Sequence, residues 1–379
     1  MTQEFEFTEE LTELRTMVRE FCAEVSPQSV VRETMTTESG FDPALWRRLA
    51  TELGVLGLAV PQSFGGEGAG LVYQAVVVEE LGAALVCGPV VGTVCLAMPA
   101  LTALADDTIR ADYLPALVNG DRIATLAAPT AGGRFSADHV AVSATRGENG
   151  WTLSGHLAQV PDATSADLLL VAAGTETGVA LFAVDGDAEG VARTSLSTLD
   201  LTRRQADVTL DGAPARLLAG EDECAAACER ALLVASALLA TEQVGGGQRM
   251  LDETVAHVRD RLQFGQPVGA FQAVKHRCAD MLVALEQARS AAYHAVWALE
   301  DGTDDPRLAV SLAQAVASES YRWISTSAIQ LHGGLGFTWE GSPHLYFKRA
   351  TTDALILGSA AEHIDHVAER TVDLAPTGS

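Results

Sequence analysis

The first third of the chain repeats apolar residues at helical spacing. The stretch LTELRTMVREFCAEV (11–25) places apolar side chains three and four positions apart, which predicts an amphipathic helix. A second helix is predicted to begin at Asp42 and Pro43, because aspartate is a good N-cap and proline suits the first turn. After the glycine-rich turn VPQSFGGEGAG, the segment 71–85 (LVYQAVVVEELGAAL) is apolar enough to predict a buried helix.

From about residue 122 to 218 the pattern changes to short, alternating, β-branched segments. Glycine, aspartate, asparagine and proline separate them, as in HVAVSATRG, GWTLSGHLAQV and GVALFAV. Strands of this length with frequent turn residues are typical of a small antiparallel β-domain or barrel.

Long helical patterns return from about residue 222. Three segments, beginning near residues 223, 274 and 306, each continue for more than 25 residues. They fit a four-helix bundle that the segment 352–370 closes. The sequence therefore predicts an α+β protein of three parts: an N-terminal α-helical domain (1–121), a middle β-barrel domain (122–220) and a C-terminal helical bundle with a short tail (221–379).

The composition is that of a folded protein with a strong acidic excess. Its 50 acidic and 25 basic residues give a net charge of −25, which argues against nucleic acid or an anionic membrane as a partner. No apolar run reaches the roughly 20 residues of a membrane helix, and the acidic N-terminus lacks a signal-peptide layout, so we expect a cytoplasmic protein. Cys224 and Cys228 lie one helical turn apart, but no second pair completes a metal site, and no metal is predicted.

Three motif blocks carry a family resemblance. They are LGVLGLAVPQSFGGEGAGLVYQAVVVEELG (53–82), GGGQRMLDETVAHVRDRLQFGQPVGAFQAVKHRCADM (245–281) and QLHGGLGF (330–337). In order and spacing these blocks resemble the acyl-CoA dehydrogenases, and the resemblance covers nearly the whole chain. It implies that family's fold: an α-domain, a β-domain and a four-helix bundle.

The resemblance also implies a cofactor, FAD, bound where two subunits meet. In that family the β-domain and bundle of one subunit hold the isoalloxazine, and the adjacent subunit donates further contacts. The matching donated positions here are Arg261, Phe264, Gln272, Gln330, Leu331, Gly333 and Gly334. An arginine fork suits a pyrophosphate, and glycines let backbone N–H groups approach it closely. Ser359 stands where the family has a threonine whose hydroxyl meets the cofactor.

The receiving half of that flavin site departs from the family pattern. Typical members carry a T-E-P-x-x-G-S-D loop and a W-I-T-N strand over the flavin. This chain has LAAPTAGG (126–133) at the first and LAQVPD (157–162) at the second, so the indole and most hydroxyls are missing. Thr130 can still donate one hydrogen bond. We therefore expect an intact contribution to a neighbour's FAD beside an eroded flavin site of the chain's own.

The catalytic base is also displaced. The family's reaction removes the proton α to a thioester while hydride leaves the β-carbon for the flavin, and a carboxylate accepts the proton. Leu357 stands at the usual glutamate, and Ala235 stands at a second position that a minority of members use.

Glu242 is the nearest remaining carboxylate, two turns beyond Ala235 on the same helix face, roughly 10 Å away at about 1.5 Å per residue. It is either the base, with a pKa raised by burial, or a buried structural partner of a basic residue. Glu79 and Glu80 lie on an apolar helix near the expected pocket, but family precedent does not favour them.

Three functions remain open from the sequence. The chain is an FAD-dependent acyl-CoA dehydrogenase, a non-catalytic subunit that completes a partner's FAD site, or a flavin-free acyl-CoA-binding scaffold. The resemblance implies an acyl-CoA substrate in fatty acid or sterol side-chain degradation, with an electron-transferring flavoprotein as acceptor. It implies a homotetramer or an α2β2 heterotetramer with a second acyl-CoA dehydrogenase-like chain, and the heteromer is favoured because the donated half is preserved while the receiving half is eroded.

Overall fold

The computed structural model describes residues 8–302 and 304–372. Its first part is helical, and Asp42 caps the third helix as expected, accepting a hydrogen bond from the Ala44 N–H at 2.8 Å. A π-helical segment, Val90–Ala97, was not predicted; it runs directly into the fifth helix. The helices are α1 (Glu9–Val25), α2 (Gln28–Thr34), α3 (Pro43–Thr51), α4 (Leu71–Ala83), α5 (Met98–Thr102) and α6 (Asp107–Val118).

The middle part is a closed seven-stranded β-barrel with a separate two-stranded hairpin formed by its second and third strands. Its strands are β1 (Ala124–Ala127), β2 (Thr130–Ala131), β3 (Arg134–Phe135), β4 (Val142–Gly147), β5 (Gly150–Pro161), β6 (Leu168–Gly174), β7 (Val179–Asp185), β8 (Val191–Ser195) and β9 (Gln205–Ala219). Pairing runs β6-β4-β5-β9-β7 and returns from β7 to β6, while β1 adds in parallel to β6 and β8 adds to β9. Closure removes the exposed edges that a small open sheet would present.

The last part is a helical bundle. Its elements are α7 (Glu221–Asp260), β10 (Leu262–Gln263), β11 (Gln266–Pro267), α8 (Gln272–Asp301), α9 (Pro306–His332), α10 (Pro343–Ile356) and α11 (Ala360–Val372). Helices α10 and α11 both pack on α9, and α10 begins at Pro343, earlier than the predicted closing segment 352–370. The α+β fold class is confirmed, and the domain limits at 121 and 220 stay a prediction.

Helix α7 is the centre of the molecule. By length and composition alone it is apolar enough to cross a membrane, but 72% of its most apolar window is buried inside the fold. The helix contains Gly245 and Gly246 at positions where neighbouring helices approach its backbone too closely for a Cβ atom. A Cβ at Gly245 would lie 1.9 Å from the carbonyl oxygen of Glu79, and one at Gly246 would lie 2.4 Å from the Tyr321 ring. These glycines let α4 and α9 approach the α7 backbone.

Candidate functional site

A hairpin at the end of α7 presents Arg261 and Phe264 to solvent. Strands β10 and β11 are joined by a two-residue turn in which Phe264 (φ 52°) and Gly265 (φ 79°) both have positive φ, as a type I′ turn requires. An aromatic residue is uncommon in that conformation, and Phe264 is 91% exposed. Strain and exposure at one residue indicate a surface that another molecule covers.

The end of α9 lies beside this hairpin. The rings of His257 and His332 stack with their centroids 4.3 Å apart, which joins the last turns of α7 and α9. Burial lowers the pKa of His257, and the neighbouring His332 and Arg261 add to the effect. A Cβ at Gly333 or Gly334 would meet no atom within 4 Å, so their backbone is open to a ligand.

The structure thus brings six of the predicted cofactor contacts to one exposed corner and leaves a seventh half-buried at its edge. We call this surface the donor corner; its exposed members are Arg261, Phe264, Gln272, Gln330, Gly333 and Gly334, and Leu331 is half-buried.

Ser359 lies apart from the donor corner. Its N–H and its hydroxyl both donate to the Glu362 carboxylate, at 2.8 and 2.7 Å, and the Glu362 N–H donates back to the Ser359 hydroxyl at 3.3 Å. This reciprocal pair is a capping box at the start of α11. The hydroxyl that the resemblance assigns to the cofactor is therefore engaged in holding a helix end.

The loop that would cover the flavin packs directly on the chain's own bundle. Thr130 is exposed, and the turn between β2 and β3 touches the backbone at Leu357. A Cβ at Gly133 would lie 2.0 Å from the Leu357 carbonyl oxygen, and His366 Nε2 lies 3.0 Å from the Gly132 carbonyl oxygen. The two surfaces that the family places around a flavin ring are in mutual contact, so the receiving half does not fit FAD.

Glu242 lies in a buried group of charges that we call the ionic cluster: Asp200, Arg203, Glu242, Arg349 and Asp353. Its Oε1 accepts hydrogen bonds from both Arg203 and Arg349. Arg349 also donates to Asp200 at 2.9 Å, and Arg203 Nε lies 3.2 Å from Asp353 Oδ1. The cluster joins the barrel, α7 and α10.

The electrostatics of this cluster bear on the two roles left open for Glu242. Burial opposes ionisation of Glu242, but Arg203 and Arg349 outweigh it and hold the pKa below its ordinary value. The contacts match the alternative of a buried structural partner of basic residues, and the raised pKa expected of a base is not found, because those two arginines, which lie far away in sequence, meet its carboxylate. Burial instead raises the pKa of Asp353 to about 8, with Arg203 opposing.

The ionic cluster also fills space. The cavity beside Glu242, between α4 and α7, measures about 10 Å³, room for at most a single water molecule. Asp162 extends the polar region: it accepts from the Gly92 N–H at 2.8 Å, and burial raises its pKa to about 6. Sequence reasoning named Glu242 but missed its partners; the signal available for them was an arginine and an aspartate four residues apart on α10, Arg349 and Asp353.

Glu79 and Glu80 are held by other arginines. Glu79 is bonded to Arg289 and Tyr293 and lies 2.9 Å from Arg15, while Glu80 accepts from Arg19 at 2.9 and 3.0 Å. Burial opposes ionisation of Glu79, but Arg289 and Arg15 hold its pKa below the ordinary value. Both carboxylates therefore fasten α1 and α8 to α4.

Family comparisons match both helical parts of the chain. The model of the acyl-CoA dehydrogenase N-terminal domain matches residues 8–121, and that of the C-terminal domain matches residues 225–372. Acyl-CoA dehydrogenase IpdE2 of Mycolicibacterium smegmatis is 35% identical over 359 residues, covering 93% of this chain and 97% of that protein. The chain belongs to the acyl-CoA dehydrogenase family.

Two solved acyl-CoA dehydrogenase (ACAD) structures are similar along their full length. One is a variant of the Tcur3481-Tcur3483 steroid ACAD, with 34% identity, a TM-score of 0.86, and coverage of 97% of this chain and 99% of that chain. The other is the ChsE4-ChsE5 complex from Mycobacterium tuberculosis, with 29% identity, a TM-score of 0.88 and full coverage of both chains. The resemblance seen in the motifs is confirmed.

Proposed function

We propose that this chain is the non-catalytic subunit of a heteromeric acyl-CoA dehydrogenase. The observation that carries the proposal is the ionic cluster, which leaves about 10 Å³ beside Glu242, too little for an acyl thioester to reach that carboxylate. Leu357 and Ala235 offer no carboxylate at either base position. Glu242 is held by two arginines and so serves as a structural partner rather than the base.

The donor corner supports a role at a partner's cofactor. Arg261 would donate to the pyrophosphate of FAD, and the exposed backbone of Gly333 and Gly334 would approach it. When bound, the flavin accepts the hydride from the substrate. The packed turn at Gly133 argues against a second flavin within this chain's own barrel.

The comparisons support two different chains in the assembly. The ChsE4-ChsE5 structure is a complex, and the Tcur3481-Tcur3483 protein is a steroid ACAD. We extend these properties to an α2β2 enzyme that dehydrogenates a bulky acyl-CoA, such as one with a sterol side chain. Its proposed electron acceptor is an electron-transferring flavoprotein, and its proposed location is the cytoplasm.

The isolated chain is expected to purify without stoichiometric FAD, because only the donated half of the site fits the cofactor. Co-purification with its partner chain should give a yellow complex, measured as flavin absorbance per chain. A yellow, active preparation of this chain alone would instead establish a self-sufficient homotetramer. A colourless complex that binds acyl-CoA would establish the scaffold.

Glu242→Gln is expected to keep the turnover number of the assembled enzyme, because the carboxylate bonds arginines and not substrate. Steady-state dehydrogenation of the acyl-CoA, measured with the partner present and normalised to folded complex, tests this. Glu319→Gln, on the exposed face of α9, is the matched control. Loss of turnover in folded, flavin-loaded Glu242→Gln enzyme would return Glu242 to the role of base.

A further inference from the structure

Two histidine rings are stacked at the edge of the donor corner. His257 lies in the last turn of α7 and His332 in the last turn of α9, and their ring centroids are 4.3 Å apart, with an angle of 19° between the planes. Both residues are half-buried. The Arg261 N–H donates to the His257 carbonyl oxygen at 2.9 Å, and Gly333 follows His332 directly. The stack is therefore continuous with the groups assigned to the pyrophosphate of FAD.

The two helix ends favour a cation at this place. The carboxyl end of a helix carries partial negative charge, and α7 and α9 bring two such ends together. Their field stabilises a positive ring and opposes an anion, so the corner needs cations to hold a pyrophosphate. Within residues 8–302 and 304–372, no carboxylate oxygen lies within 4.0 Å of either ring. A proton on the stack would thus remain available to a ligand.

The hydrogen bond of His332 identifies an atom that can take up this proton. Its Nδ1 lies 2.7 Å from the Ala328 carbonyl oxygen, which can only accept, so Nδ1 carries the hydrogen of the neutral ring. Nε2 then has no hydrogen and can accept a proton. The stack takes up a single proton near neutrality, because a second positive charge on the adjacent ring is strongly disfavoured.

Without a ligand, the surroundings of His257 keep its ring neutral. Burial lowers the pKa of His257 below its ordinary value, His332 and Arg261 lower it further, and Asp260 acts weakly in the opposite direction. An anion beside this ring reverses the balance, since it stabilises the imidazolium form.

The other elements packed against the stack add little charge. The segment 262–270, which holds the hairpin and the turn after it, has no titratable side chain. The first titratable residues of α8, Lys275 and His276, are exposed to solvent. The pyrophosphate of FAD is esterified at both ends, so it lacks the second ionisation that a phosphate monoester has near a pH of about 6. A proton taken up on binding therefore goes to the protein.

We propose that the stack of His257 and His332 takes up one proton when FAD binds at the donor corner, and that this proton completes the cationic site for the pyrophosphate. The inference rests on the function proposed above and adds a pair of positioning residues to it. Its sign follows from the charges: the stack is neutral in the free subunit and protonated beside the anion. FAD binding should therefore tighten as the pH falls.

The test is calorimetric titration of FAD into the assembled complex freed of flavin, in PIPES and in Tris buffer. These buffers differ in their heat of ionisation, so the difference in binding heat counts the protons taken up. We expect an uptake approaching one proton near neutral pH. The dissociation constant should fall about fivefold or more from about pH 8 to about pH 6, the range in which histidine ordinarily titrates.

A double variant assigns the proton to the stack. His257→Phe keeps a ring against its neighbour, and His332→Gln keeps a donor for the Ala328 carbonyl oxygen. Together they should abolish the proton uptake and hold the dissociation constant, at every pH, near the weaker value of the parent at about pH 8. His276→Gln, which changes an exposed histidine of α8, should leave the uptake unchanged.

Absence of proton uptake by the parent complex, a measurement that needs no variant, would overturn the inference. So would an uptake that persists in the double variant or is lost in His276→Gln. Arg261→Ala in the same titration separates this failure from failure of the proposed function. Weaker FAD binding by Arg261→Ala keeps the donor corner at the cofactor whatever the proton count, whereas unchanged binding would reject the donor corner and the inference together.

Discussion

An Arg349→Met variant is expected to unfold with a free energy about 3–5 kcal/mol lower than that of the parent chain. Arg349 is 4% exposed and bonds Asp200, Thr202 and Glu242 at once. Methionine fills similar space without charge. The lost stability therefore measures the electrostatic contribution of Arg349, because the carboxylates of Asp200 and Glu242 stay buried with one cation fewer. Urea denaturation of the purified chain, followed by far-UV circular dichroism, measures the change.

Two further variants distinguish this from a packing effect. Lys348→Met changes the neighbouring cation, whose amine lies over the Trp339 ring at 4.8 Å, and should cost about 1 kcal/mol or less. Adding Glu242→Met to Arg349→Met should recover part of the lost stability, since the second change removes a carboxylate left without its partner. If Arg349→Met lowers the free energy of unfolding by less than about 1 kcal/mol, water or a rearrangement of neighbouring side chains must compensate for the missing guanidinium charge.

An Arg261→Ala variant is expected to weaken FAD binding in the assembled enzyme by about ten- to a hundredfold, the range for a charged hydrogen bond. The side chain is exposed at the end of α7, so its removal should leave the fold unchanged. FAD fluorescence on release, titrated against complex concentration, measures the dissociation constant.

Arg259→Ala is the matched control, because it removes an exposed arginine two positions earlier on α7, outside the donor corner. It should leave the FAD dissociation constant unchanged. Equal affinity in the Arg261→Ala and parent complexes would remove the donor corner from the cofactor site and, with it, the main support for FAD sharing between subunits.

Local patterns were sufficient to predict the fold. Apolar residues at helical spacing and the Asp42 cap placed α1, α3 and α4, and alternating β-branched segments placed the barrel. These signals depend on near neighbours in sequence, so no tertiary information is needed to interpret them. The π-helical segment Val90–Ala97 was missed because a π-helix differs from an α-helix in its backbone hydrogen bonds, which span five residues, and an apolar run has no residue pattern that indicates them.

The candidate site was only half predictable. Motif spacing identified the residues of the donor corner, and the missing bases at Leu357 and Ala235 are visible in the sequence itself. The partners of Glu242 are 39 and 107 positions away, and nothing local indicates that Arg203 and Arg349 meet there. The direction of the pKa shift of a buried carboxyl depends on such contacts, so burial alone could not decide between the two roles left open for Glu242.

The interlocked charges constrain how this chain can change over many generations. Arg349 bridges Asp200 and Glu242, and Arg203 bridges Glu242 and Asp353. Loss of any one of these residues therefore leaves another buried charge with fewer ion-pair partners. Each single step toward an open acyl pocket would remove several kcal/mol from a total stability of about 5–15 kcal/mol. Substitution at the cluster one residue at a time is therefore strongly disfavoured, and a change of its charges requires two or more coordinated substitutions.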